Sequence, residues 1–293
     1  MNNQKTAFIY AIPAVVFWST VATAFKIALS SINVFQLLFY STFIAAISLF
    51  AIIIFQGKLH LFKKLTVKDY LRYLVTGFFN PFFYYLVLFK AYSILPAQIA
   101  QPLNFTWPIM LVLLSIIFLK QKISFKSVAA IFISFFGVVI ISLQGNLSSL
   151  HIENAFGVFL AIGSSIIWAF YWIINVKDKN DEAIKLFMSF AFGFVFIFIA
   201  NFSFSKIIIP DFPALSAAVY VGLFEMGITF FLWMKALQIS KSNAKICNLV
   251  YLCPFVSLIF IHFIIGETIY YTTYIGLIFI VLGILLQNMF DKK

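Results

Sequence analysis

Charge is scarce in this chain: 20 basic and 9 acidic residues among 293, or 10%. Soluble domains carry about 25% charged residues and roughly half apolar ones. With 63% hydrophobic residues, this chain holds more apolar surface than one water-facing core hides, which excludes a soluble enzyme. Cysteine is nearly absent as well. Cys247 and Cys253 stand six apart in one apolar run, on different helix faces, so neither a disulfide nor a thiolate metal site fits. No phosphate-binding glycine loop, zinc-ligand spacing or catalytic triad occurs, and His60, His151 and His262 are scattered. ATP-driven transport within the chain, a bound metal and a cofactor therefore lack a sequence basis. The polar start Met1–Thr6, with no small-residue cleavage site after the first apolar run, predicts no cleaved signal peptide.

What is present is apolar, aromatic and long. Forty phenylalanines and thirteen tyrosines sit in runs of about twenty residues, the length a helix needs to cross hydrocarbon, not in the alternating segments of a membrane β-barrel. The expected fold is an all-α membrane protein with ten transmembrane helices, at 7–29, 33–55, 70–92, 97–119, 125–143, 155–176, 183–205, 214–237, 243–264 and 270–290. The net charge of +11 follows the loops between them and reads as orientation signal, not as a nucleic-acid surface. With both termini on the cytoplasmic side, sixteen of the twenty basic residues fall inside, Lys122, Lys177, Lys241, Lys245, Lys292 and Lys293 among them, and Lys206 alone falls outside.

The two halves repeat. Lys90-Ala91 returns as Lys235-Ala236 after 145 residues; Pro108, Gln121 and Gly137 return as Pro254, Glu267 and Gly283 after 146; Trp18 and Trp168 are 150 apart. The implied units are 1–145 and 146–293, each with five spans. An odd number of spans turns the second copy upside down, giving two inverted five-helix repeats. Secondary transporters use that architecture, with the substrate at the midplane where the repeats meet.

On these residues the chain resembles the drug/metabolite transporter superfamily, in its ten-span EamA-type family. The stretch from Lys90-Ala91-Tyr92 through Asn104-Phe105-Thr106-Trp107-Pro108 carries the resemblance, and Lys235-Ala236 through Pro254 to Gly266-Glu267 carries it again. Trp18-Ser19-Thr20, Tyr40-Ser41 and Ile167-Trp168-Ala169 with Tyr171 are similar to the bacterial aromatic amino-acid exporter branch; Asn80-Pro81 and Glu225 depart from it. The resemblance implies a carrier of small metabolites in a bacterial inner membrane, with amino acids moved outward as the leading substrate.

Candidate binding residues follow from the cost of polarity in a membrane. Glu225, halfway along the eighth span, needs a cationic partner, a proton or water, so it is a candidate for binding a substrate ammonium and for coupling to protons. Asn80 is its repeat counterpart, 145 residues earlier, and precedes the helix-breaking Pro81. Gln98, Gln101, Asn104 and Pro108 share one face of the fourth span, with Trp107 at its edge and Gln98 at the rim; Asn248, Tyr251 and Phe255 share a face of the ninth. Trp18, Tyr84, Trp168, Tyr171, Trp172 and Trp233 are aromatic candidates for stacking or cation–π contact. Lys26 and Lys90 belong to the external rim, and Gly137, Gly157, Gly163, Gly276 and Gly283 to close helix contacts.

The leading expectation is thus a secondary transporter of small polar metabolites, amino acids first, working by alternating access with protons as a coupling candidate. The alternative is an exchanger or importer of a nucleotide-like metabolite such as S-adenosylmethionine, whose planar base suits the same aromatic residues. A non-transporting receptor or an intramembrane enzyme is remote, since each would need a soluble domain or a catalytic constellation. Beyond the substrate, protons and lipid, the sequence names no partner.

Overall fold

The computed structural model describes residues 3–120, 125–146, 152–175, 178–206, 208–240, 246 and 248–290. Gln121, Lys122, His151, Lys177, Lys241, Lys245, Cys247, Lys292 and Lys293 lie outside the described residues, as does the side chain of Asn248. Among the described residues the structure is helical, with no strand. In chain order the helices are α1 Asn3–Leu29, α2 Val34–Phe55, α3 Val67–Ile94, α4 Ala97–Phe118 and α5 Phe125–Ser142. They continue with α6 Ala155–Asn175, α7 Glu182–Phe204, α8 Phe212–Ile239, α9 Leu249–Ile265 and α10 Tyr271–Phe290. Among the described residues seven are long and apolar enough to cross a membrane, and α5, α9 and α10 have shorter described apolar stretches, Val128–Ser142, Leu249–Ile265 and Tyr271–Leu286.

Local chemistry sets several starts. Asn33 and Gln36 exchange reciprocal 3.0 Å hydrogen bonds between side chain and backbone at the head of α2, satisfying amide donors that have no partner inside the helix. Thr66 with Asp69 does the same for α3, and Asp181 and Asp211 cap α7 and α8.

Two of the long helices are broken midway. In α3 a wide π turn spans Phe78–Phe83, and Asn80 leaves helical geometry altogether (φ −145°, ψ 120°) ahead of Pro81, which has no N–H to offer the preceding turn. In α8 a second π turn spans Gly222–Gly227, ending on Gly227 (φ −94°, ψ −90°). Each break rests on a close backbone approach. A Cβ on Gly193 of α7 would collide with the Pro81 ring, and a Cβ on Gly227 would collide with the Ser48 hydroxyl of α2. Gly137, Gly157, Gly276 and Gly283 also face neighbours too close for a side chain, whereas Gly163, expected to do likewise, borders open space.

The helix pairing has a regular form. Helix α1 packs on α8 as α6 packs on α3; α9 crosses α1 as α4 crosses α6; α3 packs on α7 as α8 packs on α2. Helices α5 and α10 pair with each other at one end of the bundle. Exchanging every helix for the one five places along leaves this set of contacts unchanged.

Candidate functional site

Helix α4 is interrupted at Phe105–Thr106, with Pro102 just before the turn and Pro108 in the first turn of the segment that resumes at Trp107. A proline near a helix start costs little, because its missing N–H would be unpaired there anyway. The interruption and the α8 break line one cavity of about 60 Å³, through Phe105 and Glu225, and Tyr84, the residue after the α3 break, lines it too. At roughly 10–15 Å³ per water, that is room for a handful of water molecules and too little for a bulky aromatic substrate. The chamber is contracted.

Its walls come from both halves of the chain. Trp18, Tyr84, Gln101, Asn104, Trp107, Trp168, Trp172, Glu225 and Trp233, nine of the residues singled out from the sequence, line it. Asn80, Tyr171 and Tyr251 do not. The Asn80 amide is buried behind the wall without a hydrogen-bonded partner, although the Tyr171 hydroxyl approaches it. Tyr171 lies against the next cavity and Tyr251 packs in the apolar core, while Val250 takes the position on the chamber. Asn248–Leu252 forms a 3₁₀ turn in place of the α-helix on which the face assignment rested.

The polar part of the wall is held in place from behind. The Tyr85 hydroxyl donates to Glu225 Oε1 at 3.0 Å. The Tyr84 hydroxyl donates to Asn104 Oδ1 at 3.3 Å, and Asn104 Nδ2 donates to the Ser164 hydroxyl at 2.8 Å. Ser257 donates to Gln101 Oε1. After these bonds three polar atoms of lining residues have no partner among the described residues: Glu225 Oε2, Gln101 Nε2 and Trp172 Nε1. One is a carboxylate acceptor and two are N–H donors. Each buried unpaired group costs about 1–3 kcal/mol, so three around one small space make an arrangement that a ligand, water or a proton relieves. No lysine or arginine lines the chamber, and no described cation pairs with Glu225.

Around this polar spot the wall is aromatic. Trp18 meets Trp233 at 5.2 Å between ring centroids, and Trp168 stacks on Phe230 at 5.4 Å with the planes 21° apart. Tyr84 closes on Trp168 at 4.8 Å. Tyr85, Ser164 and Phe230 were not picked out from the sequence. Tyr85 and Phe230 are ordinary members of a chain that is 20% aromatic, and nothing in their spacing marks them; Ser164 is one of several hydroxyls in apolar helices.

The opposite ends of the bundle differ. By the loop between α3 and α4, Glu267 accepts from the Ala97 and Gln98 amides at 2.8 and 3.2 Å, and Lys26 donates to the Tyr92 and Leu95 carbonyls at 3.1 Å each. Gln98 adds bonds to Thr268, Tyr270 and Thr273. This end is tied shut by polar bonds, and Lys90 is exposed outside it. Toward the α6–α7 connection Trp168, Trp172 and Phe230 stand between the chamber and a second cavity, and all three line both.

The EamA-like transporter family model matches residues 5–143 and residues 155–289. The chain belongs to the EamA-like transporter family. Among its relatives is an uncharacterized transporter of Archaeoglobus fulgidus, 25% identical, with 98% of each chain covered. The uncharacterized transporter YvbV of Bacillus subtilis is 24% identical over 75% of this chain and 72% of its own. A solved crystal structure, 18% identical, superposes with a TM-score of 0.69 over 98% of both chains, which shows the fold alone. The chain is therefore a multi-pass member of a transporter family.

Proposed function

We propose that this EamA-family protein is a secondary transporter that exports amino acids, or metabolites with the same paired ammonium and carboxylate, across a bacterial inner membrane with both termini in the cytoplasm. It works by alternating access between two inverted five-helix repeats, 1–145 and 146–293, with α5, α9 and α10 completing ten spans. The observation that carries the substrate class is the set of unpaired atoms on the chamber wall. Glu225 Oε2 has no cation to meet, whereas Gln101 Nε2 and Trp172 Nε1 have no acceptor. An α-ammonium answers the first and an α-carboxylate the other two, while the aromatic wall takes the side chain. The invariance of the helix contacts on exchanging the halves and the two separate family matches support the repeat. The segregation of lysines among the loops supports the sidedness.

Coupling follows from competition for one oxygen pair. A buried carboxylate without a cationic neighbour must be neutralised, and on Glu225 a proton and a substrate ammonium do so in turn. Each excludes the other, so a proton enters as a substrate leaves. Reconstituted vesicles loaded with a mixed pool of labelled amino acids and nucleosides test the reading. Release of amino acids, faster when a pH gradient drives protons inward, is expected. Release of nucleosides alone would favour the planar-base alternative, and release of neither would remove both.

A further inference from the structure

The second cavity, about 210 Å³, is larger than the central chamber and differs from it in chemistry. Asp178, Glu182 and Lys185 line it, with Asn175 beside them, and Trp168, Trp172 and Phe230 form its boundary with the chamber. These charges are built in, not loose surface groups. The Asp178 side chain is 1% exposed and Lys185 is 6% exposed. Asp178 Oδ1 accepts from the Asn180 amide at 3.0 Å and pairs with Arg72 at 3.2 Å, and Arg72 is shared with Asp69 at 3.6 Å. Asp178 Oδ2 is buried with no partner among the described residues. Lys185 Nζ spends two donors, on Glu182 at 2.9 Å and on the Asp178 carbonyl at 3.3 Å, out of the three an ammonium has.

We propose that this cavity is a second binding site, in series with the central chamber, for a molecule bearing both an ammonium and a carboxylate group. The proposal rests on the transport reading above and adds a loading position to it. In the described cluster three carboxylates, Asp69, Asp178 and Glu182, meet two cations, Arg72 and Lys185. A substrate ammonium against Asp178 Oδ2 gives that buried oxygen the cationic partner it lacks. The substrate carboxylate takes the remaining donor of Lys185. Trp172 belongs to both cavities and its indole N–H has no partner of its own, so it meets the carboxylate once the molecule enters the chamber. Passage moves the ammonium from Asp178 to Glu225 and the carboxylate from Lys185 to Trp172 as the Trp168–Phe230 rings part. The closed end at Lys26 and Glu267 shares no lining residue with the chamber and offers no such step.

Equilibrium binding of each of the twenty common amino acids, tritiated, to the purified full-length protein in detergent tests this. Two bound equivalents per chain are expected for the amino acids that bind. One should disappear in Asp178→Asn and in Leu186→Trp, which fills the cavity without touching a charge, and the other in Glu225→Gln. Leu186→Trp guards against an effect of Asp178→Asn on folding, and size-exclusion elution of every variant as a single species completes the control. A single equivalent that survives both cavity substitutions would overturn the second site and leave the transport reading standing. No binding of any of the twenty would overturn the transport reading, and the second site with it.

Discussion

Glu225 has one oxygen held by Tyr85 and one that meets nothing among the described residues, and the two halves of that carboxylate make separate predictions. Glu225→Gln keeps the shape and the Tyr85 contact but cannot exchange a proton, so vesicle transport should become flat with pH at a rate far below wild type. A wild-type pH profile in that variant would remove Glu225 from coupling. Tyr85→Phe deletes a bond to the buried carboxyl of Glu225, worth about 0.5–1.5 kcal/mol, and leaves the aromatic packing against Phe89 in place. It should cost stability in thermal unfolding and loosen the pH profile without abolishing flux; an unchanged profile would show that the Tyr85 bond does not tune the carboxylate. At this scale the sequence was informative where polarity is expensive. Glu225, Gln101 and Asn104 stood out because an apolar helix does not carry such groups without a reason. Tyr85 and Phe230 did not, because a ring in this chain looks the same whether it faces a chamber, a neighbour or lipid.

Helices α3 and α8 are broken where the sequence had placed Asn80 and Glu225, and glycines set how closely their neighbours approach. Gly193 sits against the Pro81 ring and Gly163 against open space. Gly193→Val should destabilise the fold by about 1–3 kcal/mol through overpacking, read as a lower unfolding midpoint. Gly163→Ala should leave the midpoint unchanged or raise it slightly, since alanine is the better helix former. Equal effects of the two would contradict the packing described here. The kink at Pro81 was legible because proline cannot donate the bond a helix needs. The 3₁₀ turn at Asn248–Leu252 was not, because nothing in Asn-Leu-Val-Tyr-Leu announces a tighter winding. Break and tight turn alike gather at the chamber, where helical regularity yields to the need for irregular backbone and polar groups.

Across the whole molecule, side chains from both halves of the chain meet at a small polar centre, with a polar latch on one side and stacked rings on the other. Matched pairs such as Lys90-Ala91 with Lys235-Ala236 led the sequence reading to a repeat, and the proposed inverted repeat rests on them and on the exchange of helix contacts. The small size of the chamber was beyond the sequence, since volume depends on how side chains from six helices close together. Trp168→Ala should thin the ring partition and uncouple the halves, giving substrate flux that persists without a pH gradient; gradient-dependent flux at the wild-type level would show that the stack is not a barrier. The central claim, a mid-bundle chamber reached alternately from each side, is tested most directly by accessibility. In a background with Cys247 and Cys253 replaced by serine, Asn104→Cys would be exposed to a membrane-impermeant maleimide in right-side-out and in inverted vesicles. Labelling in both orientations, slowed in both by the transported amino acid, is the predicted result. Labelling from one side only, or from neither, would contradict it.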